Sequence, residues 1–477
     1  MSVKRYDNEP FEFTIPVLII GGGACGLSAA LAASDAGAAV LVLERDPVPL
    51  GTTAMSSGLI PAAGTKVQRE AGITDDDPQR FADDLVNKTG GALEPGRALT
   101  ICAASTQTVD WLIDCHDIPL SLFVTAGSLP GHSRARLHGT PNRTGEELMA
   151  ALQTAAENAG VDVLTNAIAT ALLVDGDNSI RGVEVSRPDG SIERIGCDTL
   201  ILATCGFAGN RELVSRNIPE LENIEAHTHP GAQGDALLWG EELGAATGDL
   251  AAYQGHANIA AGHGLLVSWL AISEGGFQVN SEGHRFSNEA RGYSEQAVDV
   301  AAQPDGFAWT IYDQRIDTLM HEIAEYREVR LAGALLTADT IPELARKIRI
   351  PADMLSETMT EIETLARSGA NDRFGRSFSP DKRLEPPFIA VKVNPALFHT
   401  QGGLEVDEHA RVFDREGNPL PNLYAGGGAA RGVSGPGSSG YVAGNGLMTA
   451  TTLGRLAGEA AAGQAIAASA GLGRADA

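Results

Sequence analysis

Three glycines and one acid carry the clearest chemistry in this chain. Gly21, Gly23 and Gly26 stand in G-x-G-x-x-G spacing inside PVLIIGGGACGLSAALAASDAGAAVLVLERD, residues 16–46, and Glu44 lies near its end. Glycine at 21 allows a tight turn, at 23 it lets backbone approach a pyrophosphate, and at 26 it lets a helix pack closely on a strand. Ala24 and Cys25 lie inside this glycine loop, and the helix that follows faces the phosphates with unpaired N–H groups and a positive dipole end. Glu44, followed by Arg45, can accept hydrogen bonds from ribose hydroxyls and would repel a 2′-phosphate. Together these residues imply an adenine dinucleotide.

The elements that must position them are legible around them. The apolar run Pro16–Ile20 reads as a buried strand, the Ala-rich stretch after Gly26 as a helix, and Ala39–Leu43 as a second strand ending at Glu44. The small-residue loop from Leu50 to Gly58, with Thr52, Thr53 and Ser57, suits close packing against a flat ring or phosphates. Helical patterning follows to about Cys115. Residues 131–148 read as an irregular loop and then a helix with Glu146 and Glu147 in its first turn. Residues 161–204 alternate as a three-strand meander that ends in a strand-to-turn step at Ala203-Thr-Cys-Gly-Phe207. From about 236 to 372 the character changes. Strand-like segments (Gly276–Asn280, Ala308–Tyr312) alternate with helical ones (Ile341–Ile348, Ala352–Ser368), with no glycine fingerprint. The last hundred or so residues return to the glycine-rich style and end in a helix expected from about Asn445 to Ala462, with a fraying tail after Ala467. The economical organisation is a cofactor domain in two parts, 1–235 and 373–477, split by an inserted domain at 236–372.

Bulk properties narrow the function classes. The chain has 477 residues, enough for two domains. Its 61 acidic against 35 basic residues give a net charge of −26, which argues against nucleic acid or an anionic membrane as partner. Five cysteines (Cys25, Cys102, Cys115, Cys197, Cys205) are scattered without a C-x-x-C or a metal-like spacing with His, so a reducing compartment and no metal site are expected. The polar, acidic N-terminus is unlike a signal peptide, and the apolar run near Leu265–Ile272 is too short to span a bilayer. A soluble, cytoplasmic protein is the expectation.

Five collinear segments resemble the fumarate reductase / 3-ketosteroid dehydrogenase superfamily of FAD proteins. They are GGGACGLSAALAA (21–33), LILATCGFAGN (200–210), GGFQVNSEGHRFSNE (275–289), HTQGGLEVDEHARVFDREGNPLPNLYAGG (399–427) and GYVAGNG…TTLGRLAGEAAA (440–462). The resemblance implies an α/β (α+β) fold in which a Rossmann-type FAD-binding domain is split by an inserted capping domain that closes over the substrate. It implies flavin contacts from the residues named above and from Ile168, Thr204, Gly206, Asn210, Asp235, His399, Gly402, Gly403, Gly427, Gly428, Asn445, Gly446 and Leu447. No His follows the Gly51-Thr-Thr turn where some members attach FAD covalently, so non-covalent FAD is expected. The electron acceptor is not readable.

Motif register then points to a branch. Fumarate reductases carry a proton-delivering Arg five positions after the Asn of R-F-x-N-E; counting from Asn288 gives Tyr293. A second family Arg is expected within 435–446, which reads GPGSSGYVAGNG without one. A Tyr at the first position, and a C-terminal loop pairing a Tyr with a Gly backbone N–H, resemble the ketosteroid dehydrogenases, closest to the 4-ene (5α) type. That resemblance implies Tyr293 as base and Tyr441 with Gly444 as the pair that polarises a ketone oxygen. Arg291 or His138 is the candidate that helps Tyr293 ionise, and Phe286 and Asn288 would hold the motif loop. No Tyr within 116–140 matches a third family tyrosine. The leading expectation is an FAD enzyme that introduces, or in reverse reduces, a C=C bond beside a ketone in a 3-oxosteroid or smaller cyclic ketone. A carboxylate-directed enzyme using Arg291, Arg134, Arg136 or Arg143 stays open as the alternative. So does a flavin-binding protein without turnover.

Overall fold

The computed structural model describes residues 2–124 and 129–475. The chain divides into two compact units. The first comprises Met1–Pro219, Thr228–Tyr253 and His399–Ala477; the second comprises Glu220–His227 and Gln254–Phe398.

In the first unit β1 (Phe13–Ile20), α1 (Ala24–Asp35) and β2 (Val40–Leu43) form the strand–helix–strand unit that the sequence implies, the two strands pairing in parallel. Val17–Ile20 and Val40–Leu43 are buried along their whole length, as expected of parallel strands covered on both faces. β1 pairs in parallel with β2 on one side and with β4 (Ile192–Leu202) on the other, after β3 (Asp162–Leu164) has added to β2. A fifth parallel strand, β5 (Pro419–Ala425), joins β4 with Leu202 opposite Ala425. The registers align the C-terminal ends Ile20, Leu43, Leu202 and Ala425 on one sheet edge, where open α/β sheets bind ligands. The first half of β4 instead runs antiparallel to Ile180–Ser186, which pairs with Ile168–Val174. The segment expected as the first strand of a simple meander is thus two strands, one in the parallel sheet and one in the antiparallel extension.

The long helix Asn445–Ala475 lies against α1. It extends past Ala462 and through the tail expected to fray. Gly454 and Gly458 rest on the backbone carbonyls of Cys25 and Ala29, so the two helices approach backbone to backbone.

The second unit is built on a sheet in the order Leu265–Leu266, Tyr253–Ala260, Phe388–Thr400, Ala308–Asp313, Phe277–Val279, with helices Ile341–Ile348 and Ala352–Ser368. Its bounds differ from the expected 236–372 at both ends. Ala236, Trp239 and Leu243 bury in the core of the first unit, whereas Ile389, Ala390, Val391 and Val393 bury in that of the second. Composition marks the change of style, but the side on which an amphipathic segment buries its apolar face sets the boundary.

Candidate active site

A cleft opens at the C-terminal edge of the parallel sheet in the first unit. It brings together Gly21, Gly23, Ala24, Cys25, Glu44, Arg45, Thr52, Thr53, Ile168, Thr204, Asp235, Gly427 and Gly428, all expected there, and adds Asp46, Cys205, His229 and Gly231. The three fingerprint glycines have separable reasons. Gly21 sits at φ +107°, and a Cβ on Gly26 would lie 1.8 Å from the carbonyl oxygen of Gly21. A Cβ on Gly23 would meet nothing nearer than Thr53 Oγ1 at 3.7 Å, so the chain itself does not require glycine at 23. It leaves a bare stretch of backbone at the helix N-terminus, the cradle a pyrophosphate fills. Glu44 accepts hydrogen bonds from the backbone N–H of Gly22 at 2.8 Å and of Asp46 at 2.9 Å. Each carboxylate oxygen keeps a further lone pair for a ribose hydroxyl. Asp46 in turn pairs with His229 at 3.0 Å, and Thr52 Oγ1 accepts from His229 N at 3.3 Å. Burial pushes the Asp235 carboxyl up, against the pull of Arg45. These residues fit an adenine dinucleotide.

Other expected flavin positions lie outside the lining of this cleft. Gly58 packs on Thr144, Gly206 on Thr400, and Gly402 and Gly403 on the backbone of Asp249 and Ala429. Asn210 caps the helix Arg211–Asn217, accepting from the N–H of Glu212 and Leu213, and is a helix cap in this structure rather than a cleft residue. Ser57 and Leu447 are half-buried.

A second cluster forms around His399. Its imidazole lies 5.7 Å from the Tyr441 ring, edge to face, and rests on Gly446, where a Cβ would come within 2.6 Å of Nε2. Burial pushes this imidazole down to about 4. Gln401 Nε2 approaches His399 Nδ1 at 2.7 Å, Ser434 Oγ donates to Gln401 Oε1 at 2.9 Å, and Asn445 Nδ2 donates to Ser434 Oγ at 3.4 Å. The Tyr441–Gly444 turn is pinned by a segment remote in sequence: His132 Nε2 is 2.9 Å from the Ala443 carbonyl, and Gly131 packs on Val442.

In the second unit, Tyr293 opens the helix Tyr293–Ala301 and stacks on His256 at 4.6 Å between centroids. Phe398 also stacks on His256, and Trp269 stands edge-on to both His256 and Tyr293. Burial, with His227 nearby, pushes the His256 imidazole down to about 3, so the ring is neutral at ordinary pH. The N–H of Asn258 donates to its Nδ1, which leaves the proton on Nε2. His256 carries no motif signal in the sequence; only the tertiary stack reveals it. The R-F-x-N-E motif is a clamp beneath this helix. Arg285 and Arg376 both pair with the buried Glu289, Arg285 pairs also with Asp372, and Asn288 caps the turn before Tyr293.

The candidate helpers and carboxylate binders are engaged elsewhere. His138 is fully buried with Nε2 2.8 Å from Thr65 Oγ1 and Nδ1 3.3 Å from the Ile60 carbonyl, so it ties strand Leu137–Gly139 to its neighbours and is structural. Arg291 is exposed and pairs with Asp299. Arg134 pairs with Asp75, Arg136 is buried with Asp76 and Asp84, and Arg143 donates to the carbonyls of Ser121 and Gly139. Among the described residues no helix is long and apolar enough to cross a membrane, and no group of His, Cys, Asp and Glu could hold a metal.

With this geometry in hand, the similarities to known proteins become specific. A family model described as an FAD binding domain matches residues 16–447. A probable fumarate reductase of Shewanella frigidimarina is 30% identical over 454 residues, covering 95% of this chain and 76% of that protein. A 4-oxocyclohexanecarboxylate 2-dehydrogenase of Sinomonas cyclohexanicum is 27% identical, covering 95% and 93%. In fold, the 3-ketosteroid-Δ4-(5α)-dehydrogenase of Rhodococcus jostii RHA1 superposes with a TM-score of 0.74 at 22% identity, covering 96% of this chain and 98% of that one. The dinucleotide cleft, the split first unit and these similarities converge: the chain belongs to the FAD-binding family of fumarate reductases and related dehydrogenases, and is an FAD-dependent oxidoreductase.

Proposed function

We propose that this oxidoreductase acts on the CH–CH bond beside a ketone in a cyclic substrate, a 3-oxosteroid or a smaller ring ketone. One observation carries the reading: the position where the carboxylate-reducing branch is expected to hold a proton-delivering guanidinium bears a phenol, Tyr293, stacked on a neutral imidazole in an aromatic wall. An aromatic wall suits a flat, apolar ring and offers no counter-charge to a dicarboxylate, which would be left desolvated and unpaired. The four arginines that could have substituted are all engaged within the chain. The relative that dehydrogenates 4-oxocyclohexanecarboxylate supports a ring ketone as the substrate class.

The residues divide the work as follows. Tyr441, by its O–H, and the backbone N–H of Gly444 polarise the carbonyl oxygen and acidify the neighbouring C–H. Tyr293, as phenolate or through a relay, takes that proton. Gly21 to Cys25 would hold the pyrophosphate and Glu44 the ribose. Bound FAD, held without a covalent link, supplies the hydride acceptor. Five free thiols and no disulfide among the described residues support a cytoplasmic setting.

The test is anaerobic bleaching of the bound flavin by 5α-androstane-3,17-dione, 4-oxocyclohexanecarboxylate, cyclohexanone and succinate. Bleaching by at least one ketone and not by succinate is expected. Rapid bleaching by succinate, or reoxidation of the reduced protein by fumarate with no response to any ketone, transfers the assignment to a carboxylate-directed enzyme.

A further inference from the structure

We infer that Gln401 is a positioning residue that holds the His399 imidazole as a neutral Nε2–H donor beside Tyr441, so that the pair receives an uncharged oxygen of the substrate. The inference rests on the proposed ketone chemistry for its purpose, but its structural half stands on the first unit alone.

The hydrogen-bond chain has a direction. Asn445, fully buried at the start of the C-terminal helix, donates from Nδ2 to Ser434 Oγ at 3.4 Å. The Ser434 hydroxyl is then available to donate, and it does so to Gln401 Oε1 at 2.9 Å. With its oxygen so engaged, the Gln401 carboxamide presents its nitrogen to His399 Nδ1 at 2.7 Å. With the carboxamide in this orientation its nitrogen has only protons to offer, which makes Nδ1 the acceptor and puts the ring proton on Nε2. The competing partner of Nδ1, the Thr400 carbonyl, would require the opposite tautomer but lies farther off, at 3.3 Å. Gln401 cannot easily turn away. Its backbone N–H donates to Ala252 at 2.8 Å, its carbonyl accepts from Gly432 at 2.8 Å, and its side chain is buried. Both Ser434 and Asn445 are buried as well, so water does not scramble the chain.

The consequence concerns selectivity. A carboxylate would be favoured by an imidazolium, whereas a ketone oxygen needs only a donor. Burial of His399 disfavours the cation, and a donor on Nδ1 disfavours it further, because the imidazolium would set N–H against N–H. His399 is thereby suited to an uncharged oxygen, next to the phenol already proposed to bind one. The edge-to-face contact with Tyr441 and the bare Gly446 hold the ring in place.

The isosteric variant Gln401→Glu inverts one hydrogen bond and keeps the other, since Ser434 can still donate to a carboxylate. The experiment uses the FAD-loaded protein with 15N-labelled histidine and a long-range 1H–15N correlation spectrum, the His399 signals being assigned by their loss in His399→Gln. The wild type is expected to show a neutral ring protonated on Nε2. Gln401→Glu is expected to move the proton to Nδ1 or to protonate both nitrogens, and to raise the KM for cyclohexanone about tenfold, the worth of one lost hydrogen bond, with a smaller change in kcat. A wild-type ring protonated on Nδ1, or a Gln401→Glu spectrum unchanged from wild type, overturns the inference. The spectra need no turnover, so a protein that reacts with no ketone yet shows the expected tautomer and the expected response would count against the function and not against Gln401.

Discussion

The His256 imidazole lies nearly parallel to the Tyr293 phenol, with ring centroids 4.6 Å apart and planes 21° apart. Phe398 stacks on the same imidazole at 5.3 Å, and Trp269 meets both rings edge-on. An uncharged imidazole against the phenol neither draws the phenolic proton away by charge nor blocks it by repulsion. It fixes the ring plane, which is what a proton acceptor acting at one face of a flat substrate requires.

Tyr293→Phe keeps the stack and removes only the oxygen. Flavin reduction by substrate should slow by about 10²–10⁴-fold, with binding almost unchanged. Exchange of the substrate α-proton with deuterated solvent should be lost as well. Stopped-flow absorbance reads the first effect and NMR of recovered substrate the second; retained exchange would make Tyr293 a shaping residue only.

Tyr441→Phe should cost less, about 1–3 kcal/mol in kcat/KM, because a backbone donor still polarises the carbonyl. A loss as large as that of Tyr293→Phe would exchange the two roles.

The fingerprint glycines separate folding from cofactor binding. Gly26→Ala should yield little folded protein, since its Cβ would lie 1.8 Å from a backbone oxygen. Gly23→Ala should fold and melt as an apoprotein like the wild type, yet bind FAD more weakly, because its Cβ enters the cradle. Glu44→Arg should also weaken FAD. Reconstitution titrations followed by flavin fluorescence check all three. An apoprotein destabilised by Gly23→Ala would show that the chain, and not the ligand, requires that glycine.

Acid precipitation of the loaded protein should release intact FAD to the supernatant. Flavin retained in the pellet would establish a covalent link.

Stability should fall with acid well before the carboxylates titrate. Burial pushes His256 down to about 3, and His132 and His138 to about 4, against about 6.5 in the unfolded chain. Between these values the unfolded state binds more protons, so stability is full above about pH 6.5 and is lost as pH falls toward 4. Each histidine contributes a slope of up to about 1.4 kcal/mol per pH unit. Glu289, held down to about 2 by Arg376 and Arg285 against the cost of its burial, extends the loss in the same direction below about pH 4.5. Melting temperatures of the apoprotein measured from pH 8 to 4.5 should decline, steepest below 6.5; a flat profile would show that these imidazoles are solvated.

What the sequence determined by itself is local. The strand, glycine turn, helix, strand and terminal acid from Pro16 to Glu44 are written in nearest-neighbour chemistry: β-branched runs, a positive-φ glycine, an Ala-rich helix. Gly21, Gly23, Ala24, Cys25, Glu44 and Arg45 therefore line one cleft. The register from Asn288 to Tyr293 is likewise local, because the capped turn and helix start span only those residues. Tertiary structure alone decided the rest. It placed His256, which no motif marks, against Tyr293, and it ran Gln401, Ser434 and Asn445 into one chain across segments far apart in sequence. It also gave His138 and Asn210 structural partners, and moved the boundary of the inserted unit to Gln254 and Phe398. The physical reason is common to all of these. A histidine or an amide has the same intrinsic propensity in a core, a cap or a catalytic wall, and only the groups that burial brings to its two polar atoms determine which it becomes.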